Sequence, residues 1–139
     1  MGNLQFVLNT RFLTMFQRAV LDILPKLTAP VIAVLGQEEP LQPTIEWTSD
    51  DHADVVSYTL QIKEQQQDWD DATEVTGITD LDYTPAADLD LDTSYEVRVM
   101  AIGNPTTHRN SNWSAVASFK TTDVSQVETP VITLEDGEV

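Results

Sequence analysis

The chain has no cysteine. Disulfide staples, thiolate metal sites and a cysteine nucleophile are therefore excluded, and the redox compartment stays open. Basic residues are scarce, with 7 Lys and Arg against 23 Asp and Glu and a formal charge of −16. Phosphate binding needs clustered Lys and Arg, so nucleic acid is not an expected partner. Histidine occurs only twice. No apolar run approaches the ~20 residues that a membrane-spanning helix requires. What is present is an apolar content of 41% over 139 residues, enough for one ordinary domain with an appendage.

Charge divides the chain. Residues 1–26 carry Arg11, Arg18 and Lys26 against Asp22 alone, a net of +2. The remainder carries Lys63, Arg98, Arg109 and Lys120 against 22 acids, a net of −18. Such asymmetry marks two segments with different tasks.

In the first segment, Phe12, Leu13, Phe16, Ala19, Val20, Ile23, Leu24 and Leu27 recur in steps of three and four. This spacing predicts an amphipathic helix, capped by Asn9 or Thr10 and ended near Leu24 by Pro25. Gln17, Arg18 and Asp22 interrupt the apolar stretch, and Met1 is retained, so a secretory signal is not read here. The apolar face must dock on something: its own domain, or a partner or sister subunit. The expectation is the partner, met by Phe12, Phe16, Val20, Ile23 and Leu24.

After Pro30 the pattern changes to short alternating runs between turn residues, the signature of an all-β sandwich. A first strand is expected over Val31–Leu35. Ile45 and Trp47 share one face of a second; Tyr58, Leu60 and Ile62 one face of a third. Tyr95, Val97, Val99 and Ala101 share a face of a later strand, with Glu96 and Arg98 outward. A last strand is expected through Ala115, Ala117 and Phe119.

Several motifs follow in order: Pro30, Trp47, Tyr58-Thr59-Leu60, Leu89-Asp90-Leu91-Asp92-Thr93-Ser94-Tyr95, Val99-Met100-Ala101, Ser111-Asn112-Trp113-Ser114 and Phe119-Lys120-Thr121. Together they resemble a fibronectin type III repeat over residues 30–122. The departure is Leu91, where the family has a corner proline. The resemblance implies an immunoglobulin-like, seven-stranded β-sandwich, with Trp47, Tyr58, Leu60, Leu89, Tyr95 and Trp113 as its signature. It also implies a corner in which the Tyr95 ring packs in the core while its hydroxyl bonds back to the preceding loop. Leu89 should plug the end of the sandwich. Three units result: a helical arm at 1–29, the sandwich at 30–122 and an extension at 123–139.

The extension repeats an earlier stretch. Glu128-Thr129-Pro130-Val131-Ile132-Thr133-Leu134 echoes Thr28-Ala29-Pro30-Val31-Ile32-Ala33-Val34, and the prolines lie 100 residues apart. That is about the length of one such domain. The extension reads either as the first strand of a further repeat or as an orphan strand in which Val131, Ile132 and Leu134 add to a neighbour's sheet.

Few residues offer chemistry. Asp88, Asp90 and Asp92 have the spacing that opens a calcium loop, but Thr93 and Val99 stand where glycine and glutamate are needed. Asp68, Asp70 and Asp71 surround Trp69 in a solvated turn, with the indole expected inward. His52 sits beside Asp50, Asp51 and Asp54, and His108 beside Arg109. In the resembled fold their loops share one end of the sandwich, yet no nucleophile accompanies them. The loop Gly103–Asn110 holds no Arg-Gly-Asp, and the sequon at Asn112 is taken as accidental. No catalytic residue, cofactor or metal ligand is expected.

The expected function is a non-enzymatic structural or interaction module of a multi-subunit particle, such as the decoration, tail or baseplate of a phage virion, anchored by its N-terminal arm. The alternative is a spacer or binding repeat of a larger bacterial surface or secreted protein. The expected partners are proteins, and the expected location is a virion or an extracellular surface.

Overall fold

A computed structural model describes residues 23–123. Among these described residues seven strands are formed: β1 (Val31–Ile32), β2 (Ile45–Thr48), β3 (Val55–Glu64), β4 (Thr73–Ile78), β5 (Asp82–Tyr83), β6 (Ser94–Gly103) and β7 (Ala117–Lys120). Single 3-10 turns at His52–Asp54 and Trp69–Asp71 interrupt the connections. One sheet has the order β1-β2-β5 and the other β4-β3-β6-β7, with every pairing antiparallel. The helix expected across Phe12, Phe16 and Val20, and the strand expected at Val131, Ile132 and Leu134, lie outside the described residues.

Side-chain alternation builds the core. Along β6 every second residue is buried, so Tyr95, Val97, Val99 and Ala101 face the opposite sheet. Ile45 and Trp47 from β2, Tyr58, Leu60 and Ile62 from β3, and Phe119 from β7 complete the filling. Trp47 meets Tyr58 edge-on at 5.4 Å, and Tyr95 stacks on Phe119 at 5.5 Å. Aromatic pairs contribute about 0.5–1.5 kcal/mol each beyond their burial, a useful supplement where no disulfide exists.

The corner forms as the sequence predicts. Tyr95 Oη accepts the Asp90 N–H at 3.0 Å, and Leu89 packs against the core. Without the corner proline the turn is held from β7: Asp92 N–H donates to Thr122 O, and Thr93 N–H to Thr121 Oγ1. Asp92 occupies the left-handed region (φ 49°), which aspartate tolerates better than most side chains. Its carboxylate meets Lys120 Nζ at 2.6 Å.

Three expectations need correction. The first strand does not run straight to Leu35. Its ladder with β2 ends at Ile32, with one further bond from Ala33 N–H to Glu46 O. The chain then crosses to the second sheet. There Glu39 N–H donates to Lys120 O, and Glu39 O accepts from Thr122 N–H. This covers the open edge of β7, whose main-chain groups would otherwise lack partners. Ala115 is exposed and precedes β7, because Ser111 and Ser114 occupy the β6 edge instead. Trp69 is not turned inward; it lies half-buried on the outer face of the four-stranded sheet.

Candidate interaction surfaces

At one end of the sandwich the β2–β3 and β6–β7 connections meet residues 24–28, the chain that leads into β1. Leu27 is 3% exposed and joins the core. Its N–H donates to Arg109 O at 3.0 Å, and Arg109 N–H returns a bond to Pro25 O at 2.8 Å. The Arg109 side chain donates from Nε to Leu24 O at 2.9 Å. Lys26 Nζ donates to Asn112 Oδ1, and Thr28 N–H to Asp51 Oδ2 at 2.6 Å. Five hydrogen bonds and one buried leucine therefore fix the chain over Leu24–Thr28. Gly103 makes room for this packing: a Cβ there would stand 2.9 Å from His108 O and 3.1 Å from Leu27 Cδ1. Ile23, immediately beyond the clamp, is 78% exposed.

The same end carries the two histidines. His52 Nδ1 lies 2.8 Å from Tyr58 Oη, with the rings parallel. His108 Nδ1 lies 3.0 Å from Thr107 Oγ1, and its Nε2 is 3.9 Å from Asp54 Oδ2. The loops thus converge as expected, but the imidazoles are engaged separately, His52 by the Tyr58 hydroxyl and His108 by Thr107 and Asp54. Asp51 is held below the usual carboxylate range, first by the Thr28 N–H it accepts. Burial pushes the Tyr58 and Tyr95 hydroxyls up. Among the described residues, no group of three His, Asp or Glu side chains could hold a metal ion.

A second surface covers the outer face of the four-stranded sheet. The Arg98 guanidinium lies between two indoles, 4.1 Å from the Trp69 ring centre and 4.4 Å from that of Trp113. Register explains the row beside it: Glu74, Gln61 and Arg98 are cross-strand neighbours on β4, β3 and β6. Arg98 Nε donates to Gln61 Oε1, and Gln61 Nε2 to Glu74 Oε2, each at 2.9 Å. One row along, Lys63 pairs with Glu96 at 2.6 Å and also approaches Trp69. Arg98 is shifted down by burial.

Ser111 and Ser114 extend the β6 edge through their side chains, which accept from Ala101 N–H at 2.9 Å and Val99 N–H at 3.0 Å. That geometry turns Trp113 outward onto Arg98. The stack was not foreseen in the sequence, although Trp113 and an outward Arg98 were; the signal available was two tryptophans flanking an arginine on a solvent-facing strand position. Of the residues expected to meet a partner, only Ile23 and Leu24 fall within the described chain.

No protein-family model matches the chain, and a comparison with curated proteins gives no match. Solved structures do match. A structure described as a myokine is 20% identical, covers 70% of this chain and 99% of its own, and superposes with a TM-score of 0.56. The fibronectin type III domain of human fibronectin type III domain containing protein 3 is 22% identical over 75% of this chain and 94% of its own, at the same TM-score. The FN1–FN3 domains of chicken CNTN1 are 16% identical over 71% of this chain and 33% of theirs, also at 0.56. The sandwich therefore has the fibronectin type III fold.

Proposed function

We propose that this fibronectin type III-like sandwich is a non-enzymatic interaction module that fixes the root and direction of an N-terminal arm, through which it joins a protein assembly. One observation carries the reading: residues 24–28 are pinned to the loop end of the domain, while Ile23, the residue before them, is 78% exposed. A rigid root lowers the ordering entropy that an arm must give up on binding. Phe12, Phe16 and Val20 would supply the contact, with Ile23 and Leu24 nearest the domain. No helix among the described residues is long and apolar enough to cross a membrane.

The setting we favour is a multi-subunit particle, of which a phage virion is the instance named from the sequence; none of the three structural neighbours above is described as a virion protein. A second reading, a repeat within a larger surface or secreted protein, draws support from the echo of residues 28–34 at 128–134. Sedimentation of the full chain tests the first. The expected result is an oligomer that Phe16→Asp converts to a monomer with an unchanged melting temperature. A monomer before substitution overturns it.

A further inference from the structure

The roles played by the chain around β1 give the C-terminal echo a more specific meaning. Leu27 and Pro30 are buried and Ile32 packs against the core, whereas Val31, Ala33 and Val34 are exposed. Shifted by 100 residues, the three inward positions carry Val127, Pro130 and Ile132, and the outward ones Val131, Thr133 and Leu134. Each inward position thus keeps an apolar residue, and the buried proline recurs in register. Gln126 retains an N–H donor where Lys26 donates to Asn112.

Besides the β1–β2 ladder, the remaining bonds that hold the segment use its own main chain: Leu27 N–H donates to Arg109 O, Thr28 N–H to Asp51 Oδ2 and Ala33 N–H to Glu46 O, while Leu24 O and Pro25 O accept from Arg109. A segment of different side chains can reproduce all five, since its only proline falls at the position of Pro30, just before β1. β1 is also a short edge strand, paired with β2 at two positions. Exchanging it disturbs few ladder bonds, which is the circumstance that favours swapping of an edge element.

We infer that residues 124–134 are a spare first strand, able to take the β1 seat of a second copy of this chain. Donor segment and acceptor seat are different surfaces, so the contact is head-to-tail, closing by reciprocal exchange between two copies or propagating to longer species. The inference deepens the assembly reading above and rests on it for the partner being another copy. Its test leaves Phe12, Phe16 and Val20 untouched, so failure of the arm and failure of the exchange are read separately.

The test is a double-mutant cycle on the full chain with Ile32→Asp, Ile132→Asp and both. Ile132→Asp alone should leave the melting temperature unchanged, because each domain keeps its own β1. Ile32→Asp should lower it and make it rise with protein concentration, with dimers and longer species in sedimentation. The double variant should melt about 4 °C or more below Ile32→Asp, with no concentration dependence. Identical melting of Ile32→Asp and the double variant at every concentration would overturn the inference. Should Ile32→Asp not fold, Ile32→Ala carries the comparison with added peptides. A 124–136 peptide should raise its melting temperature by mass action, as a 24–36 peptide does, and an Ile132→Asp version should not. A 124–136 peptide without effect also overturns it.

Discussion

Replacing Leu27 by alanine separates a structural arm root from an incidental contact. The side chain is 3% exposed and belongs to the same cluster as Trp47, Tyr58 and Ala101. Truncation removes three carbons from that environment. At about 0.8 kcal/mol for each buried methylene the transfer loss is roughly 2.4 kcal/mol. A residual cavity raises such losses into the range of about 2–5 kcal/mol. Leu27 sits at the end of the sandwich beside a loop that can partly collapse, so the lower part of the range applies, about 2–3 kcal/mol. Urea unfolding followed by tryptophan fluorescence measures it, because Trp47 reports on the same core. Amide exchange supplies the local readout: Leu27 and Arg109, whose N–H groups close the clamp, should lose protection before Val97 or Val99. Val34→Ala, at a position 99% exposed, serves as control with an expected change within about 0.5 kcal/mol. A loss under about 0.5 kcal/mol for Leu27→Ala, with unchanged exchange at both amides, would refute the proposal that the domain fixes the root of an arm at residues 24–28.

Other perturbations test the remaining geometry. Tyr95→Phe keeps the ring stacked on Phe119 but orphans the Asp90 N–H, for an expected loss of about 1–2 kcal/mol in urea unfolding. Arg98→Ala should cost about 1–2 kcal/mol through two cation–π contacts and lost packing; cycles with Trp69→Ala and Trp113→Ala that show no coupling would deny the stack any energetic role. Asp51 has a depressed pKa when folded, so its contribution is present above the ordinary carboxylate value and disappears as pH falls through the folded one. The protection of the Thr28 amide, taken against its intrinsic exchange at the same pH, should therefore fall as the pH drops below about 4, and Asp51→Asn should remove that acid dependence. The raised Tyr58 and Tyr95 hydroxyls act in the opposite sense: they stabilise the fold fully below pH ~10 and lose that contribution above it. An alkaline melting series in which Tyr95→Phe loses stability as steeply as the unsubstituted chain would contradict this for the corner.

The sequence by itself determined the sandwich. Period-two burial at Tyr95, Val97, Val99 and Ala101 was legible because strand alternation is a local property written residue by residue, and the tyrosine corner was legible through the resemblance of Leu89–Tyr95 to the fibronectin type III pattern. The same resemblance placed the His52 and His108 loops at one end of the domain, and the sequence marked 28–34 and 128–134 as alike. The tertiary structure decided what those likenesses mean. Only the folded chain shows that Leu27 belongs to the core, that Arg109 reaches back to Leu24, and that Gly36–Glu39 leaves β2 to cover β7. Trp69 could not be placed from its neighbours, since three aspartates around an indole say nothing of an arginine 29 residues away. Contacts between residues far apart in sequence are set by how strands register across a sheet. Register is a collective outcome of turns, bulges and core packing, and no single segment encodes it.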